Sequence, residues 1–167
     1  MHSEKSGEKM EMKEMNLLGI IGIIGAIILV VGVFLTWLSV TAFGVTETVS
    51  GWDVYKDGGD PVKYCFTPLL ALICGIIAIV LMIVPTFMNV DKFKQINNIL
   101  GIVVLILSIL VVVFAILFWT QSIDMGLGVT MKLTDMYDMG IGFWLVLIGG
   151  IITMIGGLMP IIKDKLL

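Results

Sequence analysis

Four long uncharged apolar runs constrain this chain more than any other feature. Leu17–Val40, Phe66–Met88, Ile99–Trp119 and Met139–Ile162 contain no Asp, Glu, Lys or Arg. A helix needs about 20 apolar residues to cross a bilayer, and each run reaches that length. With 59% of residues hydrophobic and a mean hydropathy of +1.11, the chain cannot clothe itself in polar side chains. Soluble domains sit near 45–50% apolar. The expected fold is therefore an α-helical integral membrane protein, a four-span antiparallel bundle.

Lysine placement predicts the orientation, because basic residues favour the cytoplasmic side. Lys5, Lys9, Lys13, Lys92, Lys94, Lys163 and Lys165 fall on one side, and Lys56, Lys63 and Lys132 on the other. That split predicts a multi-pass protein of the cell membrane with both termini cytoplasmic. Acids agree: Glu47, Asp53, Asp57, Asp60, Asp124, Asp135 and Asp138 lie on the outer side, as do all four Trp and all three Tyr. Those rings are expected in an outer aromatic belt or packed within the outer loops. The stretch before the first run is long and mixed in charge, unlike a cleaved signal peptide. The expected organisation is a cytoplasmic tail over 1–16, a first unit over 17–88, a cytoplasmic loop over 89–98, a second unit over 99–162 and a tail over 163–167.

The two units look alike. Gly44-Val45-Thr46-Glu47-Thr48-Val49-Ser50 resembles Gly128-Val129-Thr130-Met131-Lys132-Leu133-Thr134, and the helices that follow share Leu, Ile, Gly and a terminal Pro (Pro85, Pro160). The reading is of two parallel helix–β–helix repeats. Ser39–Val49 is rich in Val and Thr around Gly44 and predicts a hairpin. Met125, Leu127, Val129, Met131 and Leu133 alternate with small or polar residues, the period of a strand. A small extracytoplasmic β-sheet cap over the helices is expected.

Chemistry is sparse. None of the runs holds an ionisable group, the usual mark of a proton relay or coupled transporter. The only His is His2, so no Ser–His or Cys–His constellation can be built. Cys65 and Cys74, nine residues apart, would stand about 13 Å from each other on one helix, beyond the roughly 7 Å a disulfide spans. No Arg occurs, which argues against nucleic acid as a partner. Asp53, Asp57, Asp60, Asp124, Asp135 and Asp138 offer oxygens to a cation but match no calcium loop, and read as a solvated face. No enzyme activity, cofactor or metal is expected.

Glycine carries the clearest pattern. Gly142, Gly149 and Gly156 recur every seven residues, and Gly25 and Gly32 share that spacing. Small residues on one face let helix backbones approach closely in lipid. The stripe serves either packing of the first and last helices or an oligomer interface. Trp52, Tyr55 and Tyr137 are candidate outer partner contacts, since Trp and Tyr are favoured at binding hot spots.

Trp37, followed by Gly51-Trp52 and then Cys65, gives the first loop a resemblance to claudin and peripheral myelin protein-like four-helix membrane proteins. Only Cys65 follows within the loop, so the resemblance carries no disulfide. It implies a non-enzymatic protein acting through lateral or trans contacts, or as a channel accessory subunit. The expected function is thus association in the membrane as an accessory or scaffold subunit, in a homo-oligomer or larger complex amid lipids. The alternatives are an oligomeric pore or carrier for a small solute and a lipid- or cation-binding sensor.

Overall fold

The computed structural model describes residues 19–59, 62–87 and 94–166. The expected tail over 1–16, with His2, and residues 89–93 of the expected loop lie outside them. In chain order the elements are α1 (Gly19–Phe34), β1 (Thr36–Ala42), β2 (Val45–Ser50), α2 (Gly51–Asp57), α3 (Thr67–Phe87), α4 (Lys94–Thr120), β3 (Ser122–Asp124), β4 (Thr130–Lys132), α5 (Leu133–Met136), β5 (Asp138–Met139) and α6 (Ile141–Leu166).

The expectation of four spans is corrected. Among the described residues, two helical segments are long and apolar enough to cross a membrane, Asn98–Thr120 and Ile141–Leu158. The apolar segments Gly19–Phe34 and Thr67–Ile83 are shorter. The reason is visible at α1. Its apolar run continues to Val40, but the helix stops at Phe34 and Thr36–Ala42 is extended. Thr, Trp and Val suit a pleated, half-buried surface. Hydropathy sums over residues without regard to period, so one apolar run was shared by a helix and a strand. At 1.5 Å per residue, 16 helical residues reach about 24 Å, short of a hydrocarbon core of about 30 Å.

The hairpin expected over Ser39–Val49 is present. β1 and β2 pair antiparallel from Thr36↔Ser50 to Ala42↔Val45, and β5 adds to the other edge of β1 through Leu38↔Met139 and Ser39↔Asp138. The second hairpin is smaller, with β3 and β4 pairing over three residues each. Alternation over Met125–Leu133 predicted one strand, yet only Thr130–Lys132 lies in one, and Leu133 begins a helix. Gly126, Leu127 and Gly128 all have positive φ, which turns the chain where the sequence pattern read as extended.

These differences also correct the reading of two equivalent repeats. The β segments differ in length and in sheet, and β5 has crossed to complete the sheet of the first unit. The likeness of Gly44–Ser50 to Gly128–Thr134 reduces to a turn Gly and the residues just after it.

Both hairpins emerge at one end of the helices. α1 and α4 run into β1 and β3, and α6 starts directly after β5. α4 packs most extensively against α6. α1 meets α6 along the glycine seam: a methyl group on Gly149 would stand 2.7 Å from the Gly25 carbonyl, and one on Gly142 would stand 2.6 Å from the Gly32 carbonyl. One on Gly156 would lie 2.6 Å from Gly22 Cα. Backbone lies against backbone, a close approach that residues without a Cβ allow. Deeper along the helices, Ala26, Ala78, Met82 and Val104 form a second small cluster.

Candidate interaction site at the sheet end

The site is organised around Trp37. The β1–β2 register slips between Thr36 and Leu38, leaving Trp37 as an extra residue in β1. Such a bulge bends the strand and re-aims a side chain. As a result Trp37 and Leu38, neighbours in sequence, are both buried. The Trp37 indole is 0% exposed and its Nε1–H donates to the Gly32 carbonyl at 2.9 Å. That carbonyl lies in the last turn of α1 and also accepts from the Leu35 N–H at 3.3 Å. Phe118 of α4 and Phe143 of α6 meet the indole edge-on at 5.4 and 5.7 Å. Each such pair contributes about 0.5–1.5 kcal/mol beyond buried area. Trp37 therefore ties α1, α4 and α6 together, rather than joining an outer belt.

Gly51 lies over this indole, where a methyl group would fall 2.5 Å from Nε1. It opens α2. Ser50 caps that helix: its Oγ accepts from the Asp53 backbone N–H at 3.2 Å and its hydroxyl donates to Asp53 Oδ2 at 2.6 Å. The cap fixes a short helix whose Val54 faces the core and whose Trp52 and Tyr55 face away from it. Trp52 is half-buried and stands between Phe34, 6.1 Å away, and Tyr55, 5.6 Å away. Phe34 is 54% exposed and Tyr55 is also exposed, so the three rings form an outward-facing ladder. Tyr137 does not join it on present contacts, packing instead against the main core cluster. A separate exposed pair, Trp119 and Trp144, stacks edge-on at 5.6 Å where α4 ends and α6 begins.

The candidate glycines occupy a different place. Gly25, Gly32, Gly142, Gly149 and Gly156 are engaged inside the chain along the α1–α6 seam.

Reactive chemistry is weak in this region. Cys65 and Cys74 are both free. Burial pushes the Cys65 thiol above its ordinary range, opposed by backbone hydrogen bonding, while its Sγ lies 3.0 Å from the Val62 carbonyl. Among the described residues no three His, Cys, Asp or Glu side chains come together to hold a metal ion.

Two features were not anticipated from the sequence. Gln121, just beyond α4, is buried at 6% exposure with neither Oε1 nor Nε2 hydrogen-bonded among the described residues. Nothing in the sequence signalled its burial. The second is at the hairpin tips, where Phe43 and Leu127 are fully exposed with positive φ. A bulky residue directly before a turn Gly was the available signal.

Comparison of the chain with family models, curated proteins and solved structures gave no match.

Proposed function

We propose that the chain is a non-enzymatic membrane protein, anchored by α4 and α6, that works by associating with other proteins through its sheet end. The observation that carries this reading is the Phe34–Trp52–Tyr55 ladder. Large rings cost little conformational entropy to bury and dominate binding hot spots. The Trp52 ring is held by the Ser50 cap and the Phe34 contact, so it is preorganised for a partner.

In this reading α4 runs outward and α6 returns, which puts the sheet end outside and the start of α4 and the end of α6 on the cytoplasmic side. Lys94 at the start of α4 and Lys163 and Lys165 near the end of α6, against Lys132 between the two helices, support that orientation, and the Trp119–Trp144 pair at the sheet end suits a membrane interface. The partner is a second membrane protein or a second copy of this chain, set among lipids, and the lack of Arg speaks against nucleic acid.

The test is the native mass of the full chain after gentle extraction, compared with that of Trp52→Ala. A defined complex that dissociates in the variant, with helix content unchanged, is the expected result. A monomeric wild-type chain, or a complex indifferent to Trp52→Ala and Tyr55→Ala, overturns the reading.

A further inference from the structure

The tips of the two hairpins share a construction that their different lengths and sheets do not require. Ala42↔Val45 closes the first over a two-residue loop, Phe43-Gly44, with φ of 53° and 80°. In the second, the Val129 N–H donates to the Gly126 carbonyl at 3.1 Å around Leu127-Gly128, with φ of 55° and 77°. Positive φ at both central residues is the signature of a type I′ turn, which favours Asn, Asp or Gly at the first position. A bulky residue there is held in a disfavoured region. This chain puts Phe in one turn and Leu in the other.

Neither side chain is repaid by contacts within the fold. Phe43 is 107% exposed and Leu127 106%, as open as a side chain can be. Beside them Val45, Met125 and Val129 are exposed too. Thr41–Thr46 and Met125–Thr130 contain no ionisable residue, and the charge nearest the second turn is the Asp124 carboxylate, whose Oδ1 accepts from the Gly126 N–H at 2.9 Å. Gly44 in one tip and Gly126 and Gly128 in the other have open space around their Cα atoms, so each tip is one convex apolar side chain on a slim turn.

We propose that Phe43 and Leu127 insert into the surface of the lipid bilayer in which the chain is anchored. The proposal rests on the membrane reading above. Three observations favour lipid over a protein socket. The tips are convex and isolated, whereas a protein hot spot is ringed by near-neutral contacts that exclude water. The inserting side chains, Phe43 and Leu127, carry no charge that would have to be desolvated among headgroups and upper acyl chains. They are also tethered close to the interface. Leu127 follows the end of α4 by seven residues and Phe43 follows the end of α1 by nine. Fully extended, those stretches span at most about 25 and 32 Å, so each tip stays within that distance of the end of its helix. Insertion is shallow, as for other interfacial apolar groups, because the turn backbone keeps polar groups that need water.

The experiment places a nitroxide at position 43 or 127 of the full chain, with Cys65→Ser and Cys74→Ala removing the native thiols. The protein sits in vesicles of phosphatidylcholine and phosphatidylglycerol, and access of dissolved oxygen and of a water-soluble nickel chelate is measured at each label. A third label at Ile106, an exposed position in the middle of α4, reports on the membrane reading itself. The expected result is oxygen access with loss of nickel access at 43, 127 and 106 alike. Nickel access at 43 and 127 with none at 106 overturns the proposal and leaves the membrane reading standing. Nickel access at 106 overturns both. Loss of access to both reagents at 43 and 127 means that protein covers the tips and also overturns lipid insertion.

Discussion

Replacing Gly149 with Ala should destabilise the α1–α6 pair, whereas the same change at its neighbour Gly150 should not. The added methyl at Gly149 would stand 2.7 Å from both the Gly25 carbonyl and the Leu29 amide nitrogen, about 0.7 Å inside the 3.4 Å of ordinary contact. Both obstacles are backbone, so the helices must move apart or bend. Overpacking of this kind costs about 1–3 kcal/mol. At Gly150 the nearest atom is the end of the Val112 side chain at 3.0 Å, which can yield. Both variants gain the same helix propensity, about 1 kcal/mol for Gly to Ala. That gain cancels in the comparison. Gly149→Ala should therefore fall below Gly150→Ala by about 1–3 kcal/mol. Reversible unfolding in mixed detergent micelles, followed by circular dichroism, gives the two stabilities. If Gly149→Ala proves as stable as Gly150→Ala, the backbone-on-backbone seam is not the contact that holds these helices.

Four further outcomes follow from the same structure. Trp37→Phe should cost about 1–3 kcal/mol in the same unfolding assay, because the Gly32 carbonyl loses its indole donor and the ring leaves a void. Phe43→Asn should slow amide exchange over Thr41–Thr46 by relieving a left-handed Phe, a gain of about 0.5–1 kcal/mol measured in micelles. Gln121→Leu should be neutral or stabilising by about 1 kcal/mol, since it removes two buried unpaired polar atoms; a clear loss of stability would mean that the amide has a bound partner. Cys65 should alkylate more slowly than a free thiol near pH 8, with the rate still climbing above the ordinary cysteine range, because burial raises its pKa and the thiolate is the nucleophile; a rate matching a model thiol would contradict this.

Much of the fold could be read from local chemistry. Gly44 among β-branched residues marked the first hairpin, and the seven-residue glycine spacing marked the face of α6 that meets α1. What the sequence obscured had physical causes. Leu17–Val40 is one apolar stretch to a hydropathy sum, but a period of 3.6 gives way to a period of two near Thr36, and a short apolar strand looks like helix by composition alone. Trp37 reads as an interfacial Trp because its burial depends on a bulge, which arises from pairing and not from the residue itself. Met125–Leu133 has the alternation of a strand, yet three consecutive residues of positive φ fold it back on itself. The stacking of Trp52 on Phe34 joins residues on either side of the hairpin and had no local signature.

The glycine seam and the β1–β5 ladder are two halves of one ruler. Only Leu35 separates α1 from β1, and only Gly140 separates β5 from α6. The Gly140 amide donates to the Trp37 carbonyl at 2.8 Å, just beyond the Leu38↔Met139 pair. Sliding α1 against α6 by one residue would push side chains into the backbone contact and also carry the strands out of phase. A helix pair cushioned by long side chains could absorb such a slip by changing rotamers, whereas touching main chains have nothing to give. The height of the first hairpin above the helices is thus set by backbone geometry, and what Phe34, Trp52 and Phe43 can reach is fixed when α1 and α6 mesh.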